Sequence, residues 1–136
     1  DPSNATAYLA NARDGQAEIA PAQTRIEDQL APVRGTPFIV LHDAFHYFEA
    51  RFDVEASAAI TGSDDEAPSA ARLAQVRDTV DTSGARCILT EPQFNPGLLA
   101  AVGEVKAVTL DPLVAEGGYP AMLEEIGARL ADCLEQ

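Results

Sequence analysis

The first 33 residues carry apolar or small positions at steps of three and four: Tyr8, Ala12, Gly15, Ile19, Ala22, Ile26, Leu30 and Val33. Those intervals keep one face of a helix in phase through eight positions. Asp1-Pro2-Ser3-Asn4 supplies start signals, and Pro32 with Gly35 supplies the stop. Gly15 and Pro21 weaken the pattern, because Pro21 removes one backbone donor and crowds the preceding turn. The expectation is one long helix with a kink, or two helices broken near Asp14-Gly15. An unbroken version would be roughly 45 Å long at 1.5 Å per residue. A compact domain of this size is only about 35–40 Å across. Such a helix overhangs, as an element shared with something outside this chain would.

From Thr36 onward the pattern changes to α/β alternation. Short apolar runs read as buried strands: Phe38-Ile39-Val40-Leu41, residues 56–60, Cys87-Ile88-Leu89 and residues 105–110. They are continuous rather than alternating, as expected when helices cover both faces of a sheet. Helical segments lie between them at 44–51, at 70–80 with Leu73, Val76 and Val80 on one side, and at 96–102. The last, 119–134, puts Met122, Ile126, Leu130 and Cys133 on one stripe. The βαβαβαβα order predicts an α/β fold: a four-stranded parallel sheet with helices on both faces, preceded by the long N-terminal helix. Ser63-Asp64-Asp65-Glu66 is the one charge cluster and reads as a solvated loop.

The composition fits this picture. At 136 residues with 46% hydrophobic and 23% charged positions, the chain has the profile of a globular domain with an ordinary core. No run approaches 18 consecutive apolar residues, so no membrane span is expected. No basic-then-apolar leader stands at the start, which places any targeting segment outside this sequence. The formal charge is −13, with Lys106 the single lysine. Nucleic acid and acidic lipid are therefore poor partners, whereas a cation is not repelled. Acidity by itself most often serves solubility.

Ligands of open parallel sheets bind outside the carboxyl ends of the strands. Here those ends carry His42, Thr61, Thr90-Glu91 and Asp111. His42 and Asp111 are good ligands for a borderline metal, with Glu91 a third candidate. Each also has a plain structural reading: a His after a strand commonly caps or hydrogen-bonds, and Asp111-Pro112 and Glu91-Pro92 are ordinary turn openings. The span His42-Asp43-Ala44-Phe45-His46 resembles a two-His helical zinc motif with Asp in place of the Glu base. That chemistry needs both imidazoles on one helix face, and His42, directly after a strand, should precede the helix. Asp43 is then placed as the N-cap, with His46 a partly exposed helix residue. There is no Gly-rich phosphate loop, no Gly-x-Ser-x-Gly elbow and no Cys-x-x-Cys. Cys87 and Cys133 are either two small buried thiols or a pair that staples the last helix to the sheet in an oxidising compartment.

Four segments, in this order and spacing, resemble the zinc-binding periplasmic component of bacterial zinc ABC transporters, within the wider family of manganese and zinc receptors. They are Pro37-Phe38-Ile39-Val40-Leu41-His42-Asp43-Ala44-Phe45-His46-Tyr47-Phe48-Glu49, then Glu66-Ala67-Pro68-Ser69 leading to Arg72-Leu73, then Arg86-Cys87-Ile88-Leu89-Thr90-Glu91-Pro92-Gln93-Phe94, and Thr109-Leu110-Asp111-Pro112-Leu113. The resemblance implies two α/β lobes joined by one long helix, with metal in the cleft between them. Residues 1–35 would be part of the linking helix and 36–136 the C-terminal lobe. His42 would be a metal ligand, its imidazole favouring zinc over manganese, whose receptors carry Glu there. Asp111 matches a position where many members supply an Asp ligand, and Glu91 would be an orienting or alternate carboxylate. The other two His ligands would come from the N-terminal lobe. Cys87 and Cys133 stand where the zinc branch places its disulfide. Departures from the family pattern are Pro21 in the linking helix, and Val114 with Gly117-Gly118 after the Asp-Pro-Leu turn.

The implied function is high-affinity zinc capture and delivery to a membrane permease, in the periplasm or tethered outside the cytoplasm, with no bond made or broken. The rival is a small α/β enzyme or metallohydrolase using His42 with Asp111 or Glu91 as general base and partner.

Overall fold

The computed structural model describes residues 1–63, 67–92, 94–111 and 117–135. After a 3-10 turn at Pro2–Asn4 come α1 (Ala5–Leu30), a second turn at Ala31–Val33, β1 (Phe38–Val40), α2 (His46–Phe52), β2 (Ala58–Ala59), α3 (Ala70–Ser83) and β3 (Cys87–Thr90). A third turn at Pro96–Leu98 then runs into α4 (Leu99–Val102), followed by β4 (Lys106–Thr109) and α5 (Gly118–Leu134). The four strands form one sheet in the order β2-β1-β3-β4, with every pair parallel. The expected α/β architecture is the one observed. The charge cluster at 64–66 and the segment holding Pro112, Leu113 and Val114 lie outside the described residues.

The pleat divides the central strands between two cores. Phe38, Val40, Cys87 and Leu89 point to one face and join Ile26, Leu30, Phe48, Phe52, Ile126 and Leu130 from α1, α2 and α5. Ile39 and Ile88 point to the other and join Val76, Val80 and Val102 from α3 and α4. All residues of β1 and β3 are buried, which is why these two strands read as unbroken apolar runs. The outer strands are shorter or more exposed than their apolar runs predict. β2 keeps only Ala58 and Ala59 of the run at 56–60, and at its start Ala56 N–H donates to Glu49 Oε2 at 3.1 Å. Two caps fix α3: Ser69 accepts from Arg72 N–H, and Gly84 closes the helix at φ +76.

The 26 residues of α1 form one continuous helix with Pro21 inside it, not two helices broken near Asp14-Gly15. Pro21 and Ala17 both face solvent, so the carbonyl that Pro21 leaves without its helical donor is open to water. The predicted packing stripe is only half used. Ala22, Ile26, Leu30 and Val33 are buried, whereas Tyr8 and Ala12 are exposed and Gly15 and Ile19 are partly so. α1 and α5 lie side by side in the same sense, with Arg25 bonded to Glu124 and Ile26 against Gly127. α1 ends where β1 begins, so its first half projects past the opposite edge, beyond the strand carboxyl ends. Those 14 or so residues reach about 20 Å.

One contact locks α5 to the sheet and another locks it to α1. Cys87 at the start of β3 is joined to Cys133 near the end of α5, with Cα atoms 5.7 Å apart. Gly127 lets α5 approach the fully buried Ile26: a Cβ there would sit 3.0 Å from Ile26 Cγ2 and 3.3 Å from Cγ1. Gly127→Ala is therefore expected to lower stability by about 1 kcal/mol in thermal melts, because overpacking at about 1–3 kcal/mol outweighs a helix-propensity gain of about 1 kcal/mol. A stabilised variant would show that the two helices can part freely. The disulfide spans a sequence separation of 46. Its reduction should remove roughly 4 kcal/mol on the chain-entropy account, and a urea midpoint unchanged by reductant would refute this.

Candidate functional site

The strand carboxyl ends form one row. Thr61 follows β2, His42 follows β1, Glu91 follows β3 and Asp111 follows β4, so the strand order sets them side by side as Thr61, His42, Glu91, Asp111. The backbone ladder carries on past the strands and holds this edge. Leu41 N–H donates to the Leu89 carbonyl at 2.9 Å, Thr61 N–H to the Leu41 carbonyl at 2.8 Å, and Leu110 N–H to the Thr90 carbonyl at 2.8 Å. Thr61 Oγ1 adds a second bond to the Leu41 carbonyl at 3.2 Å, and the Thr90 and Thr109 hydroxyls meet at 3.2 Å.

The structure brings His42 and Glu91 together. His42 Nδ1 lies 3.0 Å from Glu91 Oε1, with the side chains only 15% and 7% exposed. Both elements follow central strands, and the Glu91 turn is closed by Phe94 N–H donating to the Glu91 carbonyl at 2.9 Å. Asp111 stands one strand farther out, exposed at the end of β4. Among the described residues no three His, Cys, Asp or Glu side chains are grouped so as to hold a metal ion by themselves.

The loop after His42 departs from expectation. Ala44 N–H donates back to the His42 carbonyl at 2.8 Å, and α2 begins only at His46. Its N-cap is Phe45, not Asp43, which is exposed in the preceding bend and makes no capping bond. The tight turn on the His42 carbonyl uses up the residues that an Asp43 cap would have needed as the first helical turn. His42 thus precedes the helix and His46 opens it, exposed. The two imidazoles do not share a helix face, and the two-His helical motif is excluded.

One polar residue was not anticipated. Glu49 on α2 is buried; its Oε2 accepts from Ala56 N–H, while Oε1 is buried with no hydrogen-bond partner among the described residues. Burial pushes its carboxyl above the ordinary 4.5; the Ala56 N–H acts in the opposite direction, and Asp43 and Glu55 nearby add to the rise. The signal lay in the spacing, since Phe45, Phe48, Glu49 and Phe52 share one helix face.

The chain matches the family described as zinc-uptake complex component A, periplasmic, over residues 1–133. It is 40% identical over 144 residues to the high-affinity zinc uptake system protein ZnuA of Brucella suis biovar 1 (strain 1330), covering all of this chain and 43% of that protein. A crystal structure of ZnuA superposes with a TM-score of 0.76 at 26% identity, over 98% of this chain and 53% of that one. A zinc-bound AdcAII variant of Streptococcus pneumoniae gives 0.80 at 25% identity, over 98% and 51%. The chain therefore spans about half the length, or less, of the relatives it matches.

The raised Glu49 carboxyl makes a testable contribution to stability. The folded protein keeps this proton at pH values where the unfolded chain has lost it, so stability from this group falls as pH rises from about 4.5 through the folded value. Above that value the buried charge is a full liability. On acidification from neutral toward 4.5 the wild type should gain stability relative to Glu49→Gln, measured by urea unfolding across a pH series. Parallel curves for the two proteins would refute it.

Proposed function

The chain belongs to the family of periplasmic zinc-uptake component A proteins, and from that premise we propose that it is one lobe of a two-lobed receptor that captures zinc and hands it to a membrane permease. The observation that carries the reading is the His42–Glu91 pair at the strand-end edge. A metal-binding imidazole characteristically has a carboxylate on its other nitrogen, which fixes the tautomer and raises ligand basicity. Glu91 Oε1 lies 3.0 Å from Nδ1, so that carboxylate stands beside one ring nitrogen and Nε2 is the atom offered to the metal. In this reading Glu91 positions and His42 ligates. Asp111 supplies a further carboxylate from the neighbouring strand.

Zinc prefers four ligands in a tetrahedron. One imidazole and one carboxylate make half a shell, so the remaining ligands come from a facing lobe. The overhang of α1 supports this, because it rises past the same edge and is the element on which such a lobe would be carried. The covered share of the relatives, 43%, leaves room for it. Zinc is cargo here, and the chemistry is capture and release rather than turnover, consistent with a family of transport proteins rather than enzymes. An imidazole favours zinc over manganese, which prefers oxygen ligands. The Cys87–Cys133 bond and the family description both support a periplasmic address.

In the complete receptor, His42→Ala should weaken zinc binding in titration calorimetry by more than the roughly 10–100-fold expected of Glu91→Gln, which removes an orienting partner. Asp111→Ala should cost less than His42→Ala, and His46→Ala little. Loss of binding from His46→Ala with none from His42→Ala would overturn the assignment. A substrate turned over with a His42-dependent pH–rate profile would favour the enzymatic alternative.

A further inference from the structure

Where α1, the loop after β1, α2 and the start of α5 meet, a groove of about 350 Å³ opens, lined by Ile19, Phe45, Tyr47, Tyr119, Met122 and Leu123 among others. Its wall includes the buried Phe45 and the half-buried Met122 and Leu123. Tyr47 and Tyr119, also lining it, are 89% and 56% exposed. Among the described residues the other exposed large apolar side chains are Tyr8 and Leu9, both on the overhanging half of α1. Four such residues therefore lie on one end of the molecule. Exposed tyrosines about an apolar pocket are the composition of an interface centre, since a tyrosine buries much area while losing little rotamer freedom.

The groove opens at the edge that carries His42. Ala44 and Phe45, which line it, belong to the loop that turns back on the His42 carbonyl. Ile19 marks the point where α1 leaves the sheet and rises beyond it. A second copy of this chain is a poor occupant, because two bodies of charge −13 repel. The covalently tethered remainder of the receptor needs no bimolecular encounter, since α1 holds it at high effective concentration.

We propose that this groove seats an apolar side chain of the facing lobe and is the contact through which that lobe is registered over His42. The proposal rests on the two-lobed reading above and adds the place where the lobes engage. Ala44 and Phe45 in the groove wall follow His42 by two and three residues, so a lobe seated on Phe45, Tyr47 and Met122 meets the imidazole in a fixed register.

Amide hydrogen exchange on this chain alone and on the complete receptor tests it. The peptides covering residues 44–48 and 119–123 should exchange more slowly in the complete receptor, and Met122→Glu should abolish that protection. Tyr47→Ser, an exposed rim change that leaves the core intact, should weaken it in the same direction and covers the case where Met122→Glu does not fold. Equal exchange in the two proteins, with zinc bound by the complete receptor, would overturn the proposal and leave the zinc reading standing. Protection in a receptor that binds no zinc would do the reverse. Protection that grows with concentration in this chain alone would assign the groove to a second copy and overturn it too.

Discussion

Two strands buried on both faces are the constraint from which the rest of the molecule follows. With every residue of β1 and β3 inaccessible, the pleat must find apolar cover on two sides at once. Phe38, Val40, Cys87 and Leu89 obtain it from α1, α2 and α5; Ile39 and Ile88 obtain it from α3 and α4. Their own backbone groups have nowhere to go but the ladder, which continues past the strands, with Leu41 N–H donating to the Leu89 carbonyl and Leu110 N–H to the Thr90 carbonyl. What emerges just past that rigid pair is His42 on one strand and Glu91 on the other. The imidazole–carboxylate contact is a geometric consequence of the two best-anchored elements being neighbours.

The helical layer shows how much of that anchoring is shared. α5 is held at both ends of its packed length, by the Arg25–Glu124 bond near its start and by the bond from Cys133 to Cys87 near its finish. Gly127 lets it settle against Ile26 in between. α1 is held only from Ala22 onward. Its first half has the periodicity of a packed helix and the exposure of an unpacked one. An isolated helical extension of this kind is weakly stable in water, because helices draw most of their stability from a buried face. Among the described residues nothing buries the face that carries Tyr8 and Ala12.

Much of this fold could be read from residues 36–136, and the reason is the double burial: continuous apolar runs mark inner strands, and 3.6-residue periodicity marks the helices between them. The edges were less legible. Nothing in the run at 56–60 reveals that Ala56 will bond to a side chain rather than to a strand, and Asp43 resembles an N-cap until the turn on the His42 carbonyl displaces it. Periodicity also shows that α1 has an apolar face without showing what covers it. At the site, His42, Glu91 and Asp111 were each recognisable as strand-end residues. Their partnership was not, because it depends on the lateral order β2-β1-β3-β4, and that order leaves no local mark. Glu49 shares the buried face with Phe48 and Phe52, and apart from that spacing a carboxylate there gives no local sign of its burial.

On the proposed reading, a half site has a physical advantage for a carrier. Affinity in a two-lobed receptor belongs to the closed arrangement, since only there are all ligands within reach of one ion. A partner that binds the open arrangement more tightly can then weaken the site by the whole of its differential affinity, without touching a ligand. For that to work each half must be stiff while the relation between the halves is not. Buried inner strands, the Cys87–Cys133 bond and a Glu91 fixed beside His42 provide the first condition in this chain. On that reading α1, with its first four turns largely exposed, provides the second.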